Sequence, residues 1–440
     1  MRSSPTQFRP RSIFFDLIVG LVIGINAIIF CVAYATLFSI ASPHIVVYMT
    51  GLYLLGSALL MIFCALFSEL EITIAAPQNH AIAVLLAIAA HINNTINLQT
   101  AQNQLIPTLF SAFALTTLLT GISYLVVGYF RKGNLIRFIP YPVMCGFLAG
   151  LGWAMFSKAV LALNTHPGAD SLEMTAAAIT FALLAYFIQQ YYKKPLAILG
   201  LFFTAVIIFY IFLYVGKIPL TLAITNGWVL TLPTTQSLLQ LPTLNLFTNI
   251  NWHALYSVMS LIFIVVLVNN ISLLMNTISV ETSTKKDMNF NYELCITGIA
   301  NIFASAGGGI AGYIVVGQTL LVQALKGGSR LVGVIAGGCC LLALLFGAGF
   351  ISYLPKFALF GMLLFIAISF LIHWLGATFF RLSRQDYLIL IIIFFTICCS
   401  GFYQVELICW VILMKNISTG TDMMLFKVFC QTFRNIRWGA

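Results

Sequence analysis

Ile74-Ala75-Ala76-Pro77-Gln78-Asn79 and, 240 residues later, Ile314-Val315-Val316-Gly317-Gln318-Thr319 share one pattern: Ile, two small or β-branched residues, a residue suited to a helix start, Gln, and a short polar residue. Both lie in a chain that is 61% hydrophobic and only 7% charged, where soluble domains carry roughly 25% charged residues. Each stretch predicts extended backbone that turns into a helix partway through a bilayer. Pro presets the first helical turn, disfavours helix in the residue before it, and has no N–H to leave unpaired. Interrupted segments at corresponding positions in two halves of a chain point to a transporter.

Outward from these stretches, apolar runs long enough to cross ~30 Å of hydrocarbon recur along the 440 residues, whose mean hydropathy is +1.03. They cover Leu17 to Leu37, Val47 to Leu66, Leu105 to Phe130, Val143 to Leu163, Met174 to Tyr192 and Leu196 to Val215. Further runs cover His253 to Thr277, Leu331 to Ile351, Pro355 to Leu375 and Tyr387 to Met414. With the last run divided at Ser400-Gly401, a short span from Glu293 to Ala306 and the two broken segments, about 14 transmembrane segments are predicted in an all-α polytopic membrane protein. The Arg-rich start and Ala33-Tyr34-Ala35 mimic a cleavable signal, but the run is long and further spans follow, so it reads as the first span. On this model every Lys and Arg except Lys158, Lys217 and Lys356 falls on one side, which the retention of basic residues makes cytoplasmic. Both termini are then cytoplasmic, and the net charge of +10 reads as contact with anionic lipid in the bilayer, not with nucleic acid.

The ten cysteines lack metal-type spacing and mostly sit in apolar runs, where they act as small hydrophobes. Gly307-Gly308-Gly309 lacks the Lys and Ser/Thr of a phosphate-binding loop, so ATP-driven transport is not indicated and no cofactor or metal is implied. A membrane enzyme would need clustered carboxylates, histidines or a nucleophile near one surface, whereas the eleven acidic residues are scattered. A channel-like role stays open, because sequence carries no measure of turnover.

A second internal echo supports duplication: Pro140 precedes Gly146 by six residues, as Pro355 precedes Gly361. Seven segments repeated as seven force the second copy to be inverted, which brings two broken half-helices face to face near the midplane.

Gly20-Leu21-Val22-Ile23-Gly24 followed by Ala33-Tyr34-Ala35-Thr36-Leu37 resembles the first helix of the sulfate permease (SulP) family of inorganic anion transporters. Glu293-Leu294, Gly298-x-x-Asn301-Ile302, Gly308-Gly309 and Gly327-Gly328-Ser329-Arg330-Leu331-x-Gly333 are similar to its second-repeat signature, in the same order and spacing. The resemblance spans nearly the whole chain. It implies a uracil-permease-like fold with a core domain (17–130, segments 1–4, and 252–351, segments 8–11) and a gate domain (131–215, segments 5–7, and 352–415, segments 12–14). An external connector (216–251), a cytoplasmic N-terminal tail (1–16) and a cytoplasmic basic tail (416–440) complete the division. It further implies a bacterial-type inner (plasma) membrane location and a homodimer. The STAS domain that follows the last span in the family has no counterpart in that short tail. Other departures set this chain in an atypical branch: Ile29-Phe30 stands where typical members have Pro-Gln, Gln318 where they carry Arg, and Asn269-Asn270-Ile271-Ser272 where many bacterial members place an acidic residue linked to proton coupling.

Two helix N-termini aimed at one cavity each bring up to ~+0.5 charge and unpaired backbone donors, so a small anion or carboxylate can be held without a basic side chain. Candidate substrate-binding residues are Gln78, Asn79, Gly317, Gln318 and Thr319 at the broken helices, with Asn269, Asn270 and Ser272 facing them from segment 8 if the resemblance holds. Phe30 and Tyr34 supply an apolar wall. Amides within spans also serve as interhelical hydrogen-bond glue, and Asn269 and Asn270, about 100° apart on a helix, are not expected to line the cavity together. Glu71 and His80 are the candidates for coupling to a proton, with sodium as the other coupling ion; Glu69 suits a cytoplasmic turn. Lys158 and Glu406 read as snorkelling or paired charges. The expected function is a secondary active carrier of inorganic anions (sulfate, bicarbonate, chloride) or carboxylates. The alternative is a carrier of zwitterionic or cationic amino-acid-like solutes, since a pocket without Arg accepts them.

Overall fold

In hydrocarbon a backbone must pair its own N–H and C=O groups, so each apolar run closes into a helix. The computed structural model describes residues 10–40, 43–78, 81–96, 102–131, 141–164, 171–192, 195–230, 238, 249–325, 327–380 and 382–400. Its helices are α1 (Pro10–Thr36), α2 (Pro43–Phe67), α3 (Ile82–Thr95), α4 (Gln102–Tyr129), α5 (Tyr141–Asn164), α6 (Ser171–Tyr192) and α7 (Pro195–Val215). After a connector with short helices at Leu220–Thr225 and Trp252–Ser257 come α8 (Met259–Thr284), α9 (Phe290–Ala306), α10 (Val316–Ala324), α11 (Leu331–Phe346), α12 (Lys356–Leu371) and α13 (Arg384–Ser400). Strands β1 (Ala75–Pro77) and β2 (Gly312–Ile314) precede α3 and α10. Among the described residues eight helices are long and apolar enough to span a membrane, and α3 and α11 are shorter apolar ones. With α9, α10 and α13 they follow the expected order of segments one to thirteen; the run for the fourteenth, past Ser400, lies outside the described residues.

One boundary differs from the expectation. The run His253 to Thr277 is broken at Val258, and α8 then continues to Thr284. Asn251 fixes the start of the short helix: its Oδ1 caps it by accepting from Ala254 N at 3.0 Å, and its own N–H donates to Thr108 Oγ1 of α4 at 3.0 Å.

The chain forms two compact units, Met1–Ile136 with Lys158–Phe365, and Arg137–Ser157 with Ile366–Ala440. In the second, a Cβ on Gly146 or Gly150 of α5 would collide with Leu390 or Ile397 of α13, so these glycines set a close helix crossing. The first unit uses the same device, since helices in lipid associate through small residues that let backbones approach. Gly20 and Gly24 of α1 abut Ile335 and Cys339 of α11, and Gly333 and Gly337 of α11 abut Ala65 and Ile62 of α2. Gly121 of α4 and Gly298 of α9 meet reciprocally: a Cβ added to Gly121 would lie 2.8 Å from the Gly298 carbonyl oxygen, and one added to Gly298 would lie 2.9 Å from that of Gly121.

Polar side chains tie the same helices at their ends. Asp16 of α1 accepts from Gly328 N at 3.1 Å and from the Ser329 hydroxyl. Arg330 donates to the Ala65 carbonyl at 3.1 Å and to that of Leu66, capping the orphan carbonyls at the end of α2. Buried Glu293 of α9 accepts from Ser68 Oγ and Glu69 N, both at 2.8 Å. Glu69 in turn accepts from Asn289 N at 2.6 Å. The signature residues Glu293, Gly298, Gly327-Gly328-Ser329-Arg330 and Gly333 thus hold the helices around the broken segments.

Candidate functional site

The broken segments meet through their strands. β1 and β2 pair antiparallel, Ala75 with Ile314, Ala76 with Tyr313 and Pro77 with Gly312, and Val315 N extends the ladder to Ile74 O at 2.8 Å. Antiparallel pairing is what an inverted repeat produces. Pro77 ends a strand and does not open a helix; on the outer edge of a two-stranded ladder its missing N–H costs nothing. In the first copy β1 ends at Pro77 and α3 starts at Ile82 with Ala81 as its cap, whereas in the second Val315 alone stands between β2 and α10. Gln78 is half-buried after β1, and Gln318 lies in the first turn of α10.

The outer edge of β2 is satisfied by side chains. Alternation along an antiparallel pair turns the groups of Gly312 and Ile314 away from β1. Asn301 of α9 takes both of Gly312's, accepting from its N–H at 2.9 Å and donating to its carbonyl at 2.9 Å. Asn276 of α8 donates to the Ile314 carbonyl at 2.8 Å. Asn301→Ala leaves two buried backbone groups unpaired at about 1–3 kcal/mol each, so thermal unfolding of the purified variant is expected well below that of the native chain.

The candidates divide by what they touch. Thr319 is fully buried and its Oγ1 accepts from Ile74 N at 3.2 Å, which pins α10 to β1. Gly317 is exposed, with nothing within 4 Å of the place a Cβ would take. Gln318 is 7% exposed and its Oε1 is buried with no donor among the described residues. On α8, Asn269, Ser272 and Asn276 share a face at spacings of three and four, and Ser272 is hydrogen-bonded to Tyr313 of β2. Asn270 points elsewhere: its Nδ2 donates to Ser123 Oγ of α4 at 2.9 Å and to its own helix at Val266 O, 2.7 Å. The structure therefore puts Asn269, not Asn270, on the face of α8 that holds β2. Phe30 and Tyr34 stack at 5.8 Å, and Tyr34 meets Tyr53 of α2 at 5.8 Å, an aromatic wall that continues through Phe38 to Phe113.

Glu71 is exposed in the turn between α2 and β1, and Lys158 is exposed on α5. Asn79, His80 and Glu406 lie outside the described residues. Tyr313, Asn276 and Asn301 were not among the sequence candidates. The signal that finds Asn276 is its spacing of four from Ser272, and for Asn301 it is a buried amide one loop before a strand.

At α10 the first-turn N–H groups of Val316, Gly317 and Gln318 have no intrahelical acceptor, and no Lys or Arg stands in that turn. This is an arrangement for holding negative charge by backbone dipoles.

The comparisons agree with that architecture. The chain aligns with the transmembrane domain of the bicarbonate transporter BicA of a cyanobacterium at a TM-score of 0.66 and 18% identity, covering 88% of this chain and 96% of that one. It aligns with SLC26A9 at 0.67 and 15%, covering 97% of this chain and 67% of the other. The inward-facing murine Slc26a9 anion transporter gives 0.61 and 15%, with coverage of 98% and 70%. At these identities the likeness is one of fold, an all-helical inverted repeat with two broken segments. A Saccharomyces cerevisiae protein, the vacuolar basic amino acid transporter VSB1, is 18% identical over 312 residues, 67% of this chain; the chain spans only 30% of that protein's length. The model of the sulfate permease family matches residues 13–393, and the chain is an integral membrane protein belonging to that family.

Proposed function

We propose that the chain is a secondary active carrier of small anions, inorganic oxyanions or carboxylates, which bind where β2 runs into α10. The observation that carries this reading is the first turn of α10: three backbone N–H groups without intrahelical acceptors, Gly317 open beside them, and no basic side chain to replace the dipole's charge. A half-helix N-terminus near the midplane is the recurrent device for anionic groups in inverted-repeat carriers. The family, and the bicarbonate and anion transport named for the structural relatives, support the same substrate class. Transport follows from movement of the core domain (segments 1–4 and 8–11) against the gate domain (5–7 and 12–14). Proton or sodium coupling, with Glu71 or His80 as the proton site, a homodimeric assembly, cytoplasmic termini and a plasma-membrane location belong to the same reading.

A second reading rests on the likeness to the vacuolar basic amino acid transporter. With Gln318 in place of a fixed cation, the pocket also tolerates a positive substituent on its ligand.

Counterflow into proteoliposomes decides between the classes. Labelled sulfate or bicarbonate is expected to enter saturably, with trans-stimulation by the same anion. Entry of lysine or arginine alone favours the second reading. A linear, unstimulated conductance rejects a carrier altogether.

A further inference from the structure

The backbone donors of α10 account for an anionic group, but the amides beside them leave the opposite chemistry unmatched. Asn269 is fully buried, and its Nδ2 faces Thr120 Oγ1 of α4 at 3.4 Å. The Thr120 hydroxyl proton is already committed to the Thr116 carbonyl at 2.8 Å, so Thr120 can only accept. That fixes which end of the Asn269 amide is nitrogen and leaves Oδ1 buried without a donor among the described residues. Gln318 Oε1, in the first turn of α10 itself, is in the same condition. The two residues belong to elements joined through β2, because Ser272, three residues beyond Asn269 on the same face, is bonded to Tyr313. Asn276, four residues further, holds Ile314, which leads into α10. A site that had only to neutralise sulfate or chloride would present donors alone. A buried carbonyl oxygen with no donor is costly unless a ligand supplies one.

We propose that the substrate carries a hydrogen-bond donor next to its anionic group: a small α-amino or α-hydroxy carboxylate. Its carboxylate rests on the first-turn N–H groups of α10, and its N–H or O–H meets the amide oxygens of Asn269 and Gln318. This deepens the anion-carrier reading and rests on it. A site built to bond a ligand's N–H or O–H rejects the analogue that lacks it, because its own polar groups are then left unpaired.

Propionate, lactate and alanine share one skeleton and differ only in H, OH or NH3+ at the α-carbon. Binding of each is measured by titration of the purified full chain, with sulfate, which has no N–H or O–H, as the donor-independent arm and bicarbonate, whose O–H is itself a donor, run beside lactate. Lactate or alanine is expected to bind at least about tenfold more tightly than propionate. In the Asn269→Leu variant that preference is expected to fall. Because that variant puts an apolar group against Thr120, the isosteric Asn269→Asp is run beside it, and its carboxylate is expected to raise alanine relative to lactate. Propionate binding as well as the other two, or sulfate binding alone, overturns the inference and leaves the anion carrier standing. An unchanged alanine-to-lactate ratio in Asn269→Asp overturns the placement of Asn269. Failure of all five ligands removes the inference and the carrier reading together.

Discussion

Replacing Gly312 by alanine is expected to reduce substrate counterflow to below about a tenth of the native rate and to destabilise the fold by about 3 kcal/mol, the upper range for forced overpacking. Gly312 stands opposite Pro77 in the antiparallel pair, at a position where the strands' Cα atoms approach most closely. A Cβ there would lie 2.5 Å from both Ala76 O and Pro77 N and would collide with the Ala76 carbonyl carbon as well. All three are backbone atoms of a strand and cannot swing aside as a side-chain end can. Relief requires the strands to part, and parting moves Tyr313, the Asn301 bonds and the start of α10 together. Gly317→Ala is the control. It sits five residues away with nothing within 4 Å of its Cβ direction, so its stability is expected to stay within about 1 kcal/mol of native, the scale of the Ala-for-Gly helix preference. Thermal unfolding of both purified variants separates the cases; a Gly312→Ala protein as stable and as active as native would mean that β1 and β2 do not pair in this register.

The contrast between these two glycines shows what a sequence gives away. That the chain is helical and crosses the membrane repeatedly follows from composition and run length, because the bilayer leaves the backbone no other solution. That Ile74 to Asn79 and Ile314 to Thr319 interrupt helices follows from Pro77 and from the echo between them. The point at which strand gives way to helix does not follow. β1 ends at Pro77 and α3 starts only at Ile82, whereas Val315 alone stands between β2 and α10, and a similarity of side chains does not report that difference. The echo sets Pro77 at a helix start, where the structure makes it the last residue of β1, opposite Gly312.

The residues of the proposed site are legible to a similar depth. Gln318 and Asn269 stand out as amides in apolar surroundings, and both keep a buried oxygen without a donor among the described residues. Thr319 stood beside Gln318 in sequence, yet one residue on a helix is about 100°, enough to turn its hydroxyl to Ile74 and into the frame of the fold. Asn276 is marked only by its spacing from Ser272 and Asn301 only by its place in the Gly298-x-x-Asn301 signature, and the task of each emerges when β2, distant from Asn276 in sequence, presents its outer edge. Glu293 and Arg330 belonged to a recognisable signature, but their work as ties to Ser68, Glu69 and the end of α2 depends on helices packed from both repeats.

Gln318→Arg is expected to strengthen binding of divalent anions and to weaken binding of cationic or zwitterionic ligands, with shifts of opposite sign in one protein. The substitution places a full positive charge where the native chain offers only the partial charge of a helix N-terminus. At 4 Å from a unit charge this is worth ~4 kcal/mol at an effective dielectric of 20. The position is 7% exposed, so desolvating the guanidinium subtracts from that figure. A gain of roughly tenfold to a hundredfold for sulfate is the expected remainder, each 1.4 kcal/mol being tenfold. The same change removes the unpaired Oε1 and replaces an acceptor by donors, so alanine loses a partner for its ammonium and meets a like charge; its affinity is expected to fall by at least about tenfold. Titration of sulfate and alanine into purified native and variant protein reads both numbers. Sign is more informative than size here, because a general loosening of the fold would weaken both ligands, whereas electrostatic control of selectivity must move them apart. Unchanged affinity for every charged ligand in a folded variant would show that Gln318 does not face the substrate, and the first turn of α10 would then have to be given up as the binding site.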